Sequence, residues 1–189
     1  AIQIEPNLPK EKLLGAVSFD EWGVDVPRLC IENVVDGIEH GSHAVNHTEV
    51  TQVLREGDVI KGVVLKDLLT GDERRTTCDV LVNATGPWSP RLARLAGIEI
   101  KLRGGKGIHI SLDRRLFNVA LVTQCIDNRE IFILPYENET VIGTTDDDYF
   151  DDLDQQHATH DEIAYLLEAV AHVFPAVKEA RLVRAWSGV

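Results

Sequence analysis

Val82-Asn83-Ala84-Thr85-Gly86-Pro87-Trp88 is the stretch on which the reading of the fold turns. It closes the run Asp79-Val80-Leu81-Val82-Asn83, whose consecutive apolar residues predict a strand buried on both faces, as in a parallel sheet covered by helices. Just beyond, Ser89 and Pro90 predict the start of a short helix, and Gly97 its stop. A strand passing through Ala-Thr-Gly into a helix brings backbone close to a ligand at the carboxyl end of a sheet, and Gly86 permits that approach. A tight strand-to-helix turn with no ligand has the same local sequence, so this heptapeptide alone leaves both readings open.

Toward the amino terminus, residues 1–14 are polar with two prolines and predict an irregular entry segment. Asp25 is a predicted N-cap with Pro27 in the first turn. Val26, Leu29, Cys30, Val34 and Ile38 follow as a helical stripe, ending near His40 and Gly41. Strands are expected over 44–55, 59–67 and 75–83, joined by turns at Gly57 and Gly71, which makes a β-meander. Toward the carboxyl terminus, runs at 107–113, 118–126, 130–136 and 139–145 predict an antiparallel sheet of at least four strands. Thr159 and Glu162 form a capping box before a helix that Pro175 stops, and a strand over 181–187 follows. The expected class is α+β: part of an α/β nucleotide domain with a meander over residues 1–98, and a separate antiparallel sheet with a flanking helix over residues 99–189.

Composition narrows the function. The net charge of −12 opposes nucleic-acid binding, since a phosphate backbone is repelled at long range. No apolar run approaches the roughly 18 residues that span a bilayer, and no signal peptide is expected from the opening residues. Cys30, Cys78 and Cys125 have no C-x-x-C spacing and are expected to be reduced, small buried residues. The sequence holds no methionine and stops on Trp186-Ser187-Gly188-Val189 directly after a strand-like run, so both ends are expected to be cuts within a longer protein.

Three further stretches carry chemistry. Arg103-Gly104-Gly105-Lys106-Gly107-Ile108-His109 has a backbone able to wrap an anion or lie flat against a ring, although it is neither a Walker A loop nor G-x-G-x-x-G. His109 can take a hydroxyl proton near neutral pH, and a single histidine also serves as a structural residue. Thr144, Thr145 and Asp146 end a strand with a glycine and two hydroxyls, suited to a polar pocket; Asp147 and Asp148 continue an acidic run expected to be a solvated turn. That run departs from the EF-hand order, so no metal site is expected. Arg181 and Arg184, three apart on one strand, are expected on opposite faces.

Together these residues resemble the FAD-dependent glycerol-3-phosphate dehydrogenases. The matching stretches are Gly15-Ala16-Val17-Ser18-Phe19-Asp20, Asp25-Val26-Pro27-Arg28-Leu29, Asn83 to Trp88, Lys106 to His109, Ile142 to Tyr149, and Trp186 to Val189, in the family's order and spacing. The resemblance implies the two-part fold of the D-amino-acid-oxidase-like flavoproteins and oxidation of sn-glycerol 3-phosphate to dihydroxyacetone phosphate. Electrons would pass to a quinone, in a protein of the cytoplasm lying peripherally at the cytoplasmic membrane. It places Ala84, Thr85 and Gly86 against FAD and Val50 near its adenine side. His109 matches the family's base on the substrate C2 hydroxyl, with Lys106, Thr144, Thr145 and Asp146 lining the substrate pocket. The family's G-x-G-x-x-G loop and the arginine after Ser-Gly-Val do not occur in this sequence. The polypeptide by itself is therefore expected to hold little or no FAD, to lack turnover and to self-associate through exposed core surface. An oxidase passing electrons to oxygen, and a non-catalytic module binding an anion or a partner, are the competing readings.

Overall fold

The structure, a computed structural model, describes residues 1–11, 13–124 and 126–189. The backbone forms two compact units, Ser18–Leu102, and Ala1–Val17 with Arg103–Val189. The class is α+β, with antiparallel sheets and few helices. No helix among the described residues is long and apolar enough to cross a membrane.

In Ser18–Leu102, α1 spans Val26–Glu39, and the Asp25 carboxylate accepts the Arg28 amide at 3.1 Å, as the N-cap reading requires. None of its residues is buried, so the predicted stripe faces no core within this unit. The meander consists of β1 (Thr48–Glu56), β2 (Val59–Asp67) and β3 (Glu73–Thr77), in the order β1-β2-β3. Its second turn is set by Asp67, whose carboxylate accepts the Leu69 and Thr70 amides at 2.8 and 3.1 Å.

The third strand is shorter than the expected 75–83. β3 ends at Thr77, and Val80 and Val82 are 75% and 76% exposed instead of lying in a doubly buried strand. The reason is pairing. β2 already has a neighbour on each side, and after the Cys78 amide donates to the Lys61 carbonyl at 3.3 Å the chain has left the sheet. The cysteine expectation also fails at Cys30, which is exposed; Cys78 is half-buried, and Cys125 lies outside the described residues. The short helix α2 (Ser89–Leu95) forms where Pro90 predicted it and ends at Gly97, whose φ is +71°.

The second unit is built on one sheet, ordered β5-β6-β7-β4-β8, with β9 also paired to β4. Its strands are β4 (Gly104–Leu112), β5 (Leu121–Gln124), β6 (Glu130–Tyr136), β7 (Glu139–Gly143), β8 (Asp147–Tyr149) and β9 (Leu182–Gly188). One face is the core: Ile108, Ile110 and Leu112 of β4, Ile131 and Ile133 of β6 and Ile142 of β7 are fully buried against Leu166 and Val170 of α3 (His160–Ala171). β8 departs from the expected solvated turn, because the backbone of Asp147–Tyr149 pairs with Gly104–Lys106. The amino-terminal segment belongs to this unit through Glu5, a buried carboxylate accepting the Asn118 amide at 2.5 Å and the Asn7 amide at 3.1 Å.

The capping box is present as predicted: Thr159 Oγ1 accepts the Glu162 amide, and the Glu162 carboxylate accepts the Thr159 amide at 2.7 Å. The same carboxylate meets the ammonium of buried Lys106 at 2.8 Å, pinning the start of α3 to β4. Burial opposes the charge on Glu162, but Lys106 and Thr159 outweigh it and hold its pKa below the ordinary 4.5. Thr159→Ala should cost about 1 kcal/mol in chemical denaturation. The contribution of Glu162 should be complete above pH 4.5 and disappear as pH falls through its lowered pKa, and a Glu162→Gln variant should show a flatter stability profile across that range.

Candidate functional site

The candidate residues fall into two groups, one in each unit. In Ser18–Leu102, Asn83 organises the loop from Ala84 to Trp88. Its side-chain oxygen accepts the Thr85 hydroxyl at 2.7 Å, and its amide nitrogen donates to the Ser89 carbonyl at 3.0 Å. Ser89 Oγ closes the loop by donating to the Gly86 carbonyl at 2.6 Å. Gly86 has φ +55° and open space where a side chain would start. Ala84, Thr85 and Gly86 are all exposed, so the loop presents backbone outward on a hydrogen-bonded frame. Val50 lies on β1 opposite Leu65, beside the irregularity between Val50 and Gln52.

In the second unit, alternation along β4 divides the predicted residues between two faces. Lys106 shares the α3 face with Ile108 and Ile110, and its ammonium is taken by Glu162. Thr145 is buried, and its hydroxyl accepts the Ile108 amide at 3.0 Å, standing in for a strand partner between the β8 and β7 pairings of β4. Asp146 is exposed, and its carbonyl accepts from Arg129 at 3.4 Å. Arg181 lies 3.7 Å from Asp113, while Arg184 pairs with Glu139 at 2.9 Å.

His109 lies on the other face of β4, half-buried, in register with Gly143 of β7 and Trp186 of β9. Its imidazole stacks on the Trp186 indole, with ring centroids 5.5 Å apart and planes 8° from parallel. A side chain at Gly143 would begin 2.4 Å from His109 Cδ2, and one at Gly107 would begin 2.3 Å from Thr144 Oγ1. Two glycines therefore clear the space into which His109 and Thr144 settle. Burial lowers the His109 pKa, so the imidazole is neutral at pH 7 and able to accept a proton.

The sequence profile of the FAD dependent oxidoreductases matches residues 1–189. The chain belongs to this family. Among its relatives, an alpha-glycerophosphate oxidase of Streptococcus pneumoniae is 35% identical over 182 residues, covering 92% of this chain and 30% of the relative. An aerobic glycerol-3-phosphate dehydrogenase of Bacillus subtilis is 30% identical over 194 residues, covering 100% of this chain and 35% of the relative. The solved glycerol-3-phosphate dehydrogenase of Bacillus halodurans, complexed with FAD, superposes with a TM-score of 0.92 at 31% identity, over 99% of this chain and 39% of that one. Glycine oxidase of Geobacillus kaustophilus, 23% identical with a TM-score of 0.64 over 86% of this chain and 41% of its own, shares the fold. The chain thus spans about a third of the length of the curated relatives it matches.

Asn83 and Trp186 were not singled out by residue type, and Gly143 was read only as part of a polar strand end. Asn83 and Trp186 lie inside stretches that resemble the family, but their contacts depend on loop closure and cross-strand register. Gly143 has meaning only once His109 is known to lie opposite. A Gly143→Ala variant should fold with a loss of about 1–3 kcal/mol, because the new methyl forces the imidazole or the strand aside. Thermal unfolding beside Gly188→Ala, where a side chain meets nothing within 4 Å, checks this.

Proposed function

We propose that this chain forms part of an FAD-dependent sn-glycerol 3-phosphate dehydrogenase, with the unit Ser18–Leu102 on the cofactor side and the unit of Ala1–Val17 and Arg103–Val189 on the substrate side. The observation that carries the proposal is His109: a desolvated, neutral imidazole on the open face of a sheet, in a chain whose relatives are named for glycerol 3-phosphate. Ala84, Thr85 and Gly86 would border the flavin and Val50 the adenine side. The fit rests on exposed loop backbone and on the open space beside Gly86, where a flat ring can come close.

When bound, FAD supplies the two-electron acceptor for the hydride leaving C2 of the substrate. His109 takes the proton of the C2 hydroxyl as that carbon becomes the ketone of dihydroxyacetone phosphate. Thr144 shares the cleared space beside Gly107 and offers a hydroxyl to the substrate, and Asp146 completes the rim. Lys106 and Thr145 act behind this surface, through Glu162 and the Ile108 amide, in fixing β4.

The same reading takes a quinone as electron acceptor and a peripheral site at the cytoplasmic membrane. The pneumococcal relative, named an oxidase, supports a second version in which oxygen is the acceptor. Hydrogen peroxide formed in step with glycerol 3-phosphate consumption would select that version; reduction of a quinone analogue without peroxide would select the first. The exposed Val80, Val82 and α1 residues support self-association of the isolated chain, which should sediment above its 21.0 kDa mass. A monomer at micromolar concentration would remove that part of the proposal.

In the full-length, FAD-loaded protein, His109→Ala should lower turnover about 10²–10⁴-fold while the flavin absorbance is retained. Since the base must be unprotonated, kcat/KM should rise with pH through a pKa below the ordinary 6.5 and be level by neutrality. Near-normal turnover of the variant would remove the base role.

A further inference from the structure

We infer that Trp186 is a positioning residue for His109, its indole fixing the plane in which the imidazole presents its nitrogens. The inference rests on the reading of His109 as the base, and it supplies what that reading lacks. A catalytic histidine is ordinarily oriented by a hydrogen bond from one ring nitrogen to a carboxylate or a carbonyl. Among the described residues, neither ring nitrogen of His109 has a hydrogen-bond partner, so something other than a hydrogen bond must set its plane.

The neighbours of the ring identify what does. On one edge of β4, the residue opposite His109 is Gly143, whose Cα leaves no room for even a methyl group. On the other edge it is Trp186, with its rings nearly parallel to the imidazole. Offset-stacked aromatic pairs at such separations attract each other beyond the area they bury. The imidazole is thus confined by backbone on one side and by an indole on the other, and both nitrogens stay free for substrate.

The indole is itself held. The Arg184 guanidinium lies 5.7 Å from its centroid and is tied to the Glu139 carboxylate at 2.9 Å and to Ser111 Oγ at 3.3 Å. The charged groups on this face are Arg184 of β9, Glu139 of β7 and Glu130 at the start of β6. On β8, Asp147 and Asp148 pair with Arg129 and Arg103, and on the α3 face Lys106 pairs with Glu162. No charged side chain is in register with His109, so an uncharged stack is left to set its orientation.

The test uses the full-length, FAD-loaded protein with Trp186→Phe and Trp186→Leu, alone and combined with His109→Asn. Trp186→Leu should lower kcat at least tenfold with little change in KM for glycerol 3-phosphate and none in flavin content, since misplacement of a catalytic group is felt chiefly in the chemical step. Trp186→Phe, which keeps a ring, should stay within about threefold of the parent. In the His109→Asn background, Trp186→Leu should add almost nothing, because the two residues act as a unit. A full additional loss there would overturn the inference. A readout independent of turnover is nitrogen-15 relaxation of labelled histidine: the His109 ring should gain mobility in Trp186→Leu and regain order in Trp186→Phe. A ring as ordered in Trp186→Leu as in the parent would also overturn it. If His109→Asn keeps normal turnover while the ring still loosens in Trp186→Leu, the base role falls and the positioning contact stands.

Discussion

The register of β4 is the constraint on which the site depends. A strand sends successive side chains to opposite faces, so a slip of one residue would exchange every inward and outward position. β4 is held against such a slip by three pairing partners, β7, β8 and β9. Burial of Ile108, Ile110 and Leu112 against α3 makes one alignment far more favourable than its neighbours. With that face committed to the core, His109 is committed to the other. The Lys106–Glu162 pair adds a charged lock at the start of the strand, because either partner left alone would be an uncompensated charge in a largely buried setting.

Chemistry follows from that commitment. The same sheet that buries an aliphatic layer against α3 presents a row of Phe132, Gly143, His109 and Trp186 across its other face. The row is partly apolar, which desolvates the imidazole and keeps it neutral. It contains a glycine where a side chain would displace the ring. Stability and reactivity are therefore two faces of one register, and the glycines are where the sheet gives up packing so that polar groups can take the space.

Much of this was legible in the sequence, where local physics decides. Asp25 and the Thr159–Glu162 pair cap their helices as read, because capping depends on residues three apart. The antiparallel strands of the second unit appear close to their expected limits, because short polar connections separate alternating apolar runs. Legibility ended where partners are distant. The run from Asp79 to Asn83 has the composition of a buried strand, but among the described residues it joins neither sheet, since β2 is already paired on both edges. Asp147–Tyr149 has the composition of a solvated turn, yet its backbone finds β4. The resemblance puts Lys106 in the substrate pocket, and only the fold reveals that its ammonium meets Glu162, 56 residues away. The stacking of Trp186 on His109 is a cross-strand contact that no local window contains.

Where the substrate alcohol meets the protein decides the role of His109. A crystal structure of the full-length protein with FAD and glycerol 3-phosphate measures this most directly. It should show the C2 hydroxyl oxygen within about 2.6–3.2 Å of a His109 ring nitrogen, or joined to it through one water, on the sheet face that carries Trp186. A substrate bound on the α3 face, or with its C2 hydroxyl out of reach of His109, would contradict the account.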